Sequence, residues 1–103
     1  MTLPVQLPPP SPALTIHETA ARIRRTAERA RTDMTRNSEY WTTGWAAGVT
    51  NAIGGDTGEL AALFPPETAL EIADWLDTVA SAATRHGVPL PPLALALVCA
   101  ATT

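Results

Sequence analysis

From Pro66 to Arg85 the chain reads PETALEIADWLDTVASAATR, and its start, interior and stop signals all specify one helix. Pro66 suits the first helical position, where a missing N–H costs nothing and a fixed φ helps. Pro65 before it discourages an earlier continuous helix. Glu67 and Glu71 lie near the positive end and Arg85 and His86 near the negative end. Gly87 then supplies a left-handed stop. Thr68 with Glu71 forms a competing capping box that starts the helix two residues later.

Inside these limits Ala69, Ile72, Leu76, Val79 and Ala83 recur at three- and four-residue spacing, with Ala73 and Ala80 on the same side. They define one buried stripe. Trp75 stands at its edge as a packing anchor with its N–H near water. Glu67, Glu71, Asp74, Thr78 and Ser81 mostly face away.

A second helix is expected from Thr15, whose side chain forms a capping box with Glu18. Ile16, Ala20, Ile23, Ala27, Ala30 and Met34 follow at alternating four and three spacings, resembling a short coiled-coil seam. Three alanines make the seam shallow, and the helix alone is marginal in water. Glu18 with Arg22, Arg24 with Glu28, and Arg29 with Asp33 have the spacing of helical ion pairs.

Charge is split along the chain. Arg22, Arg24, Arg25, Arg29, Arg31 and Arg36 fall in the first half, whereas Asp56, Glu59, Glu67, Glu71, Asp74 and Asp77 follow. One helix facing another, within a chain or between copies, is the simplest use of this asymmetry. The sharper alternative is a nucleic-acid face made by Arg22, Arg25 and Arg29, which project from one side. Against it stand the net charge of −3, the acidic residues that dilute the patch and the absence of interleaved aromatics.

Between these helices lies TRNSEYWTTGWAAGVTNAIGG, where Tyr40, Trp41 and Trp45 cluster. Alternation through Trp45, Ala47, Val49, Asn51 and Ile53 permits a strand, and Trp41, Trp45, Val49 and Ile53 at four-residue spacing permit helical turns. Trp41 and Trp45 are expected to form the lid of a small core, with an exposed partner-binding anchor as the alternative. Gly54 and Gly55 make a turn, and Asp56 with Glu59 opens a short helix to about Phe64. Leu60, Leu63 and Phe64 are expected on its buried side. The Pro65–Pro66 corner should pack this helix sharply against the next.

The ends differ from the middle. Pro4, Pro8, Pro9, Pro10 and Pro12 make residues 1–14 an extended, flexible arm. After Gly87, VPLPP leads into LALALVCAATT, an apolar tail readable as a strand, a helical turn or the end of something longer. Its longest apolar run, Leu93 to Ala101, has nine residues, about half of what a helix needs to cross a bilayer. No signal-peptide pattern is visible, and a single cysteine, Cys99, gives no sign of an oxidising compartment, so a cytoplasmic setting is expected.

Groups that carry chemistry are sparse. His17 and His86 lack a second histidine or cysteine at ligand spacing. Glu71, Asp74 and Asp77 make an oxygen-rich patch with too few ligands for a magnesium site of its own. Cys99, Ser38 and Ser81 have no evident base or triad partner. No catalytic residue, metal site or cofactor is expected, and a small enzyme ranks last among the readings.

Leu60-Ala61-Ala62-Leu63-Phe64-Pro65, followed by Ala69-Leu70-Glu71-Ile72-Ala73-Asp74-Trp75-Leu76-Asp77-Thr78-Val79-Ala80, resembles a group of small uncharacterised proteins of actinobacteria and their phages. The resemblance runs from about Ile16 to His86 and implies an arginine- and alanine-rich opening helix, a tryptophan-containing middle and a closing helix. It implies no activity and no catalytic residues. The chain lacks the group's Pro-Trp pair before Trp41, which leaves the middle open between strand and helix.

The expected fold is mainly α: two long amphipathic helices, a short connecting helix and Pro-rich termini, with a single helical domain over 15–87. The apolar tail, 88–103, packs on that domain or on a partner chain. Few aromatics and many alanines mean a thin core, so self-association as a homodimer or higher oligomer is expected. The leading reading is a non-enzymatic interaction protein, such as a phage accessory or inhibitory factor. Candidate partner-binding residues are Trp41, Trp45 and Trp75, with Arg22, Arg25 and Arg29.

Overall fold

The computed structural model describes residues 12–102, and they form five helices: α1 (Pro12–Arg36), α2 (Trp45–Ile53), α3 (Gly55–Ala62), α4 (Pro66–His86) and α5 (Pro92–Thr102). The mainly α expectation and the two long helices are found. The remainder is three short helices where one was expected. Most of the proline-rich arm lies outside the described residues, and its last part, from Pro12, already belongs to α1. Proline tolerates a first helical turn, so the helix begins ahead of Thr15. Thr15 is thus internal, and its carbonyl accepts the Thr19 hydroxyl, which satisfies the one buried polar side chain among the described residues.

α4 follows its sequence signals closely. Pro65 is the extended N-cap, Pro66 starts the helix, and Gly87 ends it at φ 64° with its N–H on the Ala83 carbonyl. No side-chain cap is made, so the competing Thr68–Glu71 start is not used.

α1 and α4 run antiparallel, as their cross-links show. His17 meets Asp77, Arg24 meets Asp74 and Asp77, and Arg31 meets Glu67, so one chain position rises as the other falls. Between them Ile16, Ala20, Ala73, Leu76 and Ala80 are completely buried, with Ile23, Ile72, Trp75 and Val79 packed around them. The first part of the seam, Ile16, Ala20 and Ile23, is therefore covered within the chain by the α4 stripe, while Ala30 and Met34 farther along it stay partly exposed.

The expected ion pairs within α1 give way to other partners, some distant and some local. Arg24 turns from Glu28 to α4, Arg22 donates to the Ala101 carbonyl, and Arg29 donates to the Thr26 hydroxyl. Asp33 accepts from Asn37 and from the Trp41 indole. An exposed pair within one helix stabilises by only about 0.2–0.5 kcal/mol, so it yields readily to such competitors.

Residues 45–53 are helical, which decides between the two middle readings. α2 and α3 form a hairpin in which Gly58 is buried against the Thr50 backbone; a Cβ there would lie 3.3 Å from the Thr50 Cα. Trp45 Nε1 donates to the Ala61 carbonyl at 3.2 Å and ties the hairpin's open end. α3 turns its small residues toward α2, so Leu60 and Leu63 point outward, 61% and 69% exposed, and Phe64 is half exposed. The expected buried side of α3 is thus its outer side. α3 packs on α2 rather than at a sharp angle on α4.

The tail is helical too. α5 lies on α1 with Ala94 fully buried and Leu90, Leu97 and Val98 packed on the core. Arg22 donates to the Ala101 carbonyl at its C-terminal end, a favourable place for a cation.

Two predictions come from this packing. Leu76→Ala should cost about 2–5 kcal/mol in denaturant unfolding, because it removes one of the two largest fully buried side chains. A loss below about 1 kcal/mol would place Leu76 outside a packed core. The second concerns Asp77. Partial burial pushes its carboxyl up, but hydrogen bonds from His17 and Arg24, with the charge of Arg24, outweigh this and hold it below its ordinary value. A carboxyl held lower in the folded than in the unfolded chain stabilises fully above its unfolded value and loses that contribution as pH falls through the folded one. Asp77→Asn should therefore lower stability by about 1 kcal/mol near neutrality, with the gap to wild type closing below about pH 4. Thermal melts across pH that keep a constant gap would contradict this assignment.

Candidate functional site

The antiparallel pair leaves a groove along one flank of α1. Ile23, Ala27 and Ala30 of α1 and Ala69 of α4 form its floor, with Pro66 beside them. From the register of α1 against α4, Arg22 and Ala101 stand at one end and Trp45 and Phe64 at the other. The volume is about 370 Å³, and the lining is predominantly apolar, with Arg22 and Thr26 as its polar side chains. Small alanines make the groove, since they cannot fill the space between a bulky tryptophan and the helices.

Trp45 is held by a local aromatic assembly. Its ring stacks on Trp41, with centroids 5.4 Å apart and planes 7° from parallel, and Tyr40 meets Trp41 edge-on at 4.9 Å. Trp41 Nε1 donates to Asp33 Oδ2 at 3.0 Å, and the Tyr40 hydroxyl donates to the Gly48 carbonyl at 2.6 Å. Gly48 is required for this: a Cβ there would overlap the Trp41 ring. The G-x-x-x-G spacing of Gly44 and Gly48 thus serves an aromatic contact, while Gly44, at φ 93°, precedes α2 as its N-cap.

Of the sequence candidates, Arg22 and Trp45 line the groove itself. Arg25 and Arg29 are exposed on the same outer side of α1, three and seven residues beyond Arg22. Trp41 stands behind Trp45 as its stacking partner and lids α2 rather than the main core. Trp75 is elsewhere, half-buried against the core as a packing anchor. Phe64 is the lining residue that the sequence reading misplaced, and its position just ahead of Pro65–Pro66 was the available signal. Proline prevents the short helix from continuing and carrying Phe64 inward.

A separate polar cluster joins the other flank of α1 to α4. His17 Nδ1 lies 2.7 Å from Asp77 Oδ1, and Arg24 Nη2 lies 2.9 Å from Asp77 Oδ2 and 3.0 Å from Asp74 Oδ1. Hydrogen bonds to Asp77 and Asp74 raise the Arg24 guanidinium above its ordinary value, so its charge is permanent. Every group here has a hydrogen-bonding partner on the facing helix, which makes the cluster a clasp between helices. Among the described residues no three His, Cys, Asp or Glu side chains are grouped to hold a metal, and no helix is long and apolar enough to cross a membrane.

Replacing Gly48 with alanine should force the Trp41 ring aside, at a cost of about 1–3 kcal/mol, and disturb the stacked pair. Near-UV circular dichroism should show loss of the tryptophan signal while far-UV helicity persists; an unchanged near-UV spectrum would rule out this contact.

Comparison of the chain with known protein families, with curated proteins and with solved structures gives no significant match.

Proposed function

We propose that this chain is a non-enzymatic interaction protein that works through contact with other protein surfaces and associates with itself. The carrying observation is the apolar groove beside a run of uncovered apolar side chains, Leu60, Leu63 and Phe64, at 61%, 69% and 50% exposure. Scattered exposed leucines need no explanation, but a patch next to an apolar groove is the usual signature of an interface. Leu93 and Leu95 are further uncovered apolar side chains, on α5.

The chemistry of the groove supports the same reading. Its polar side chains are a guanidinium and a hydroxyl, a pair suited to orienting an apolar partner and lacking a base to activate a nucleophile. An accessory or inhibitory factor, in keeping with the resemblance to actinobacterial and phage proteins, would act in this way, in a cytoplasmic setting. A nucleic-acid role is less well supported, because Arg22, one of its three candidate arginines, is engaged within the chain and the net charge is −3.

Sedimentation equilibrium tests the reading. At ~100 μM, inside the range where uncovered apolar surface drives association, the mass should exceed that of one chain. A monomer at that concentration with an intact helical spectrum would remove self-association.

A further inference from the structure

We propose that the groove is occupied by α3 of a second copy of this chain, in a reciprocal two-fold dimer. This rests on the self-association reading and names its surfaces.

Asp56, Glu59, Leu60 and Leu63 fall at helical spacing on one face, opposite the buried Gly58 that packs on α2. That face is therefore a pair of leucine knobs flanked by two carboxylates. All four residues are exposed, and no ion pair is formed by Asp56 or Glu59 within the described residues. The groove has the inverse character: an alanine-lined floor with Arg22 at one end, and Arg25 and Arg29, outside the lining, exposed at helical spacing from Arg22 on the outer side of α1.

The charges left over after folding are complementary. Arg24 and Arg31 are taken by the acids of α4, which leaves Arg25 and Arg29 on the outer side of α1 and Asp56 and Glu59 on α3 without an ion pair among the described residues. Within one chain they do not meet, because α3 presents its small residues to α2 and its carboxylates to solvent. A second copy satisfies both sets at once. Phe64, which follows α3 directly, already walls the groove, so a copy that inserts Leu60 and Leu63 brings its own groove beside the first copy's α3. The same contact then forms twice, as a closed two-fold interface requires.

Charge reversal tests this, read by sedimentation equilibrium with circular dichroism as the folding control. D56R/E59R and R25E/R29E should each weaken dimerisation at least about tenfold, and an equimolar mixture of the two should recover a heterodimer. Should either reversal unfold the chain, the neutral pairs D56N/E59Q and R25Q/R29Q replace them, with smaller losses of the same sign. Wild-type association that survives both changes undiminished, or reversed chains that fail to pair with each other, would overturn the assignment while leaving self-association intact. A monomeric wild type would sink both.

Discussion

The antiparallel contact of α1 with α4 is the constraint on which the other elements depend. Alanine at positions 20, 27, 73 and 80 lets the two backbones approach closely, and Ile16 and Leu76 fill the space that remains. Non-directional packing of this kind leaves the sliding register weakly specified. The clasp of His17, Arg24, Asp74 and Asp77 supplies directional restraint, because a shift by one turn would separate each charge from its partner. The polar clasp borders the apolar contact along one flank of the same α1–α4 face, so together they set both spacing and rotation.

A contact made of alanines has a consequence for the rest of the surface. Five of the eight buried hydrophobic side chains among the described residues are alanine, each of which removes little apolar area from water. The larger apolar side chains are left at the margins, on α3 and α5. α5 reduces this deficit by laying Ala94, Leu97 and Val98 on the core, yet it is apolar on all sides and leaves Leu93 and Leu95 uncovered. Closely approaching helices and exposed leucines are thus two results of one compositional choice.

Much of this architecture was legible in the sequence, where signals were local. The α4 limits follow from Pro65, Pro66 and Gly87, and both buried stripes follow from helical periodicity. The failures have a common cause in competition between local and distant partners. Thr15 and Glu18 have the spacing of a helix start, but Pro12 tolerates an earlier one. Arg24 has Glu28 within reach, but two carboxylates of α4 bind it better. On α3, apolar residues were read as the inner face, whereas the close approach of α2 demanded Gly58 and turned the leucines outward. Of the candidate site, Arg22 and Trp45 were visible as residue types, while the groove between them depends on a helix pairing that no local pattern encodes.

The partition of arginines explains why one flank of α1 differs from the other. His17, Arg24 and Arg31 face α4 and meet its carboxylates, whereas Arg22, Arg25, Arg29 and Arg36 form no ion pair with α4. Arg22 among them is directed inward, to the carbonyl end of α5, where the helix dipole provides a partial negative charge. The outer arginines keep their hydration and their field, screened over about 8–10 Å at ordinary salt. In the proposed interface, an apolar groove near such a field would discriminate among apolar partners by the sign of their flanking charge: an acidic rim would be drawn in, and a basic one repelled before contact. Recognition by this surface, as proposed, would be electrostatic in its selectivity and hydrophobic in its affinity, and both properties would trace back to which side of α1 the acids of α4 occupy.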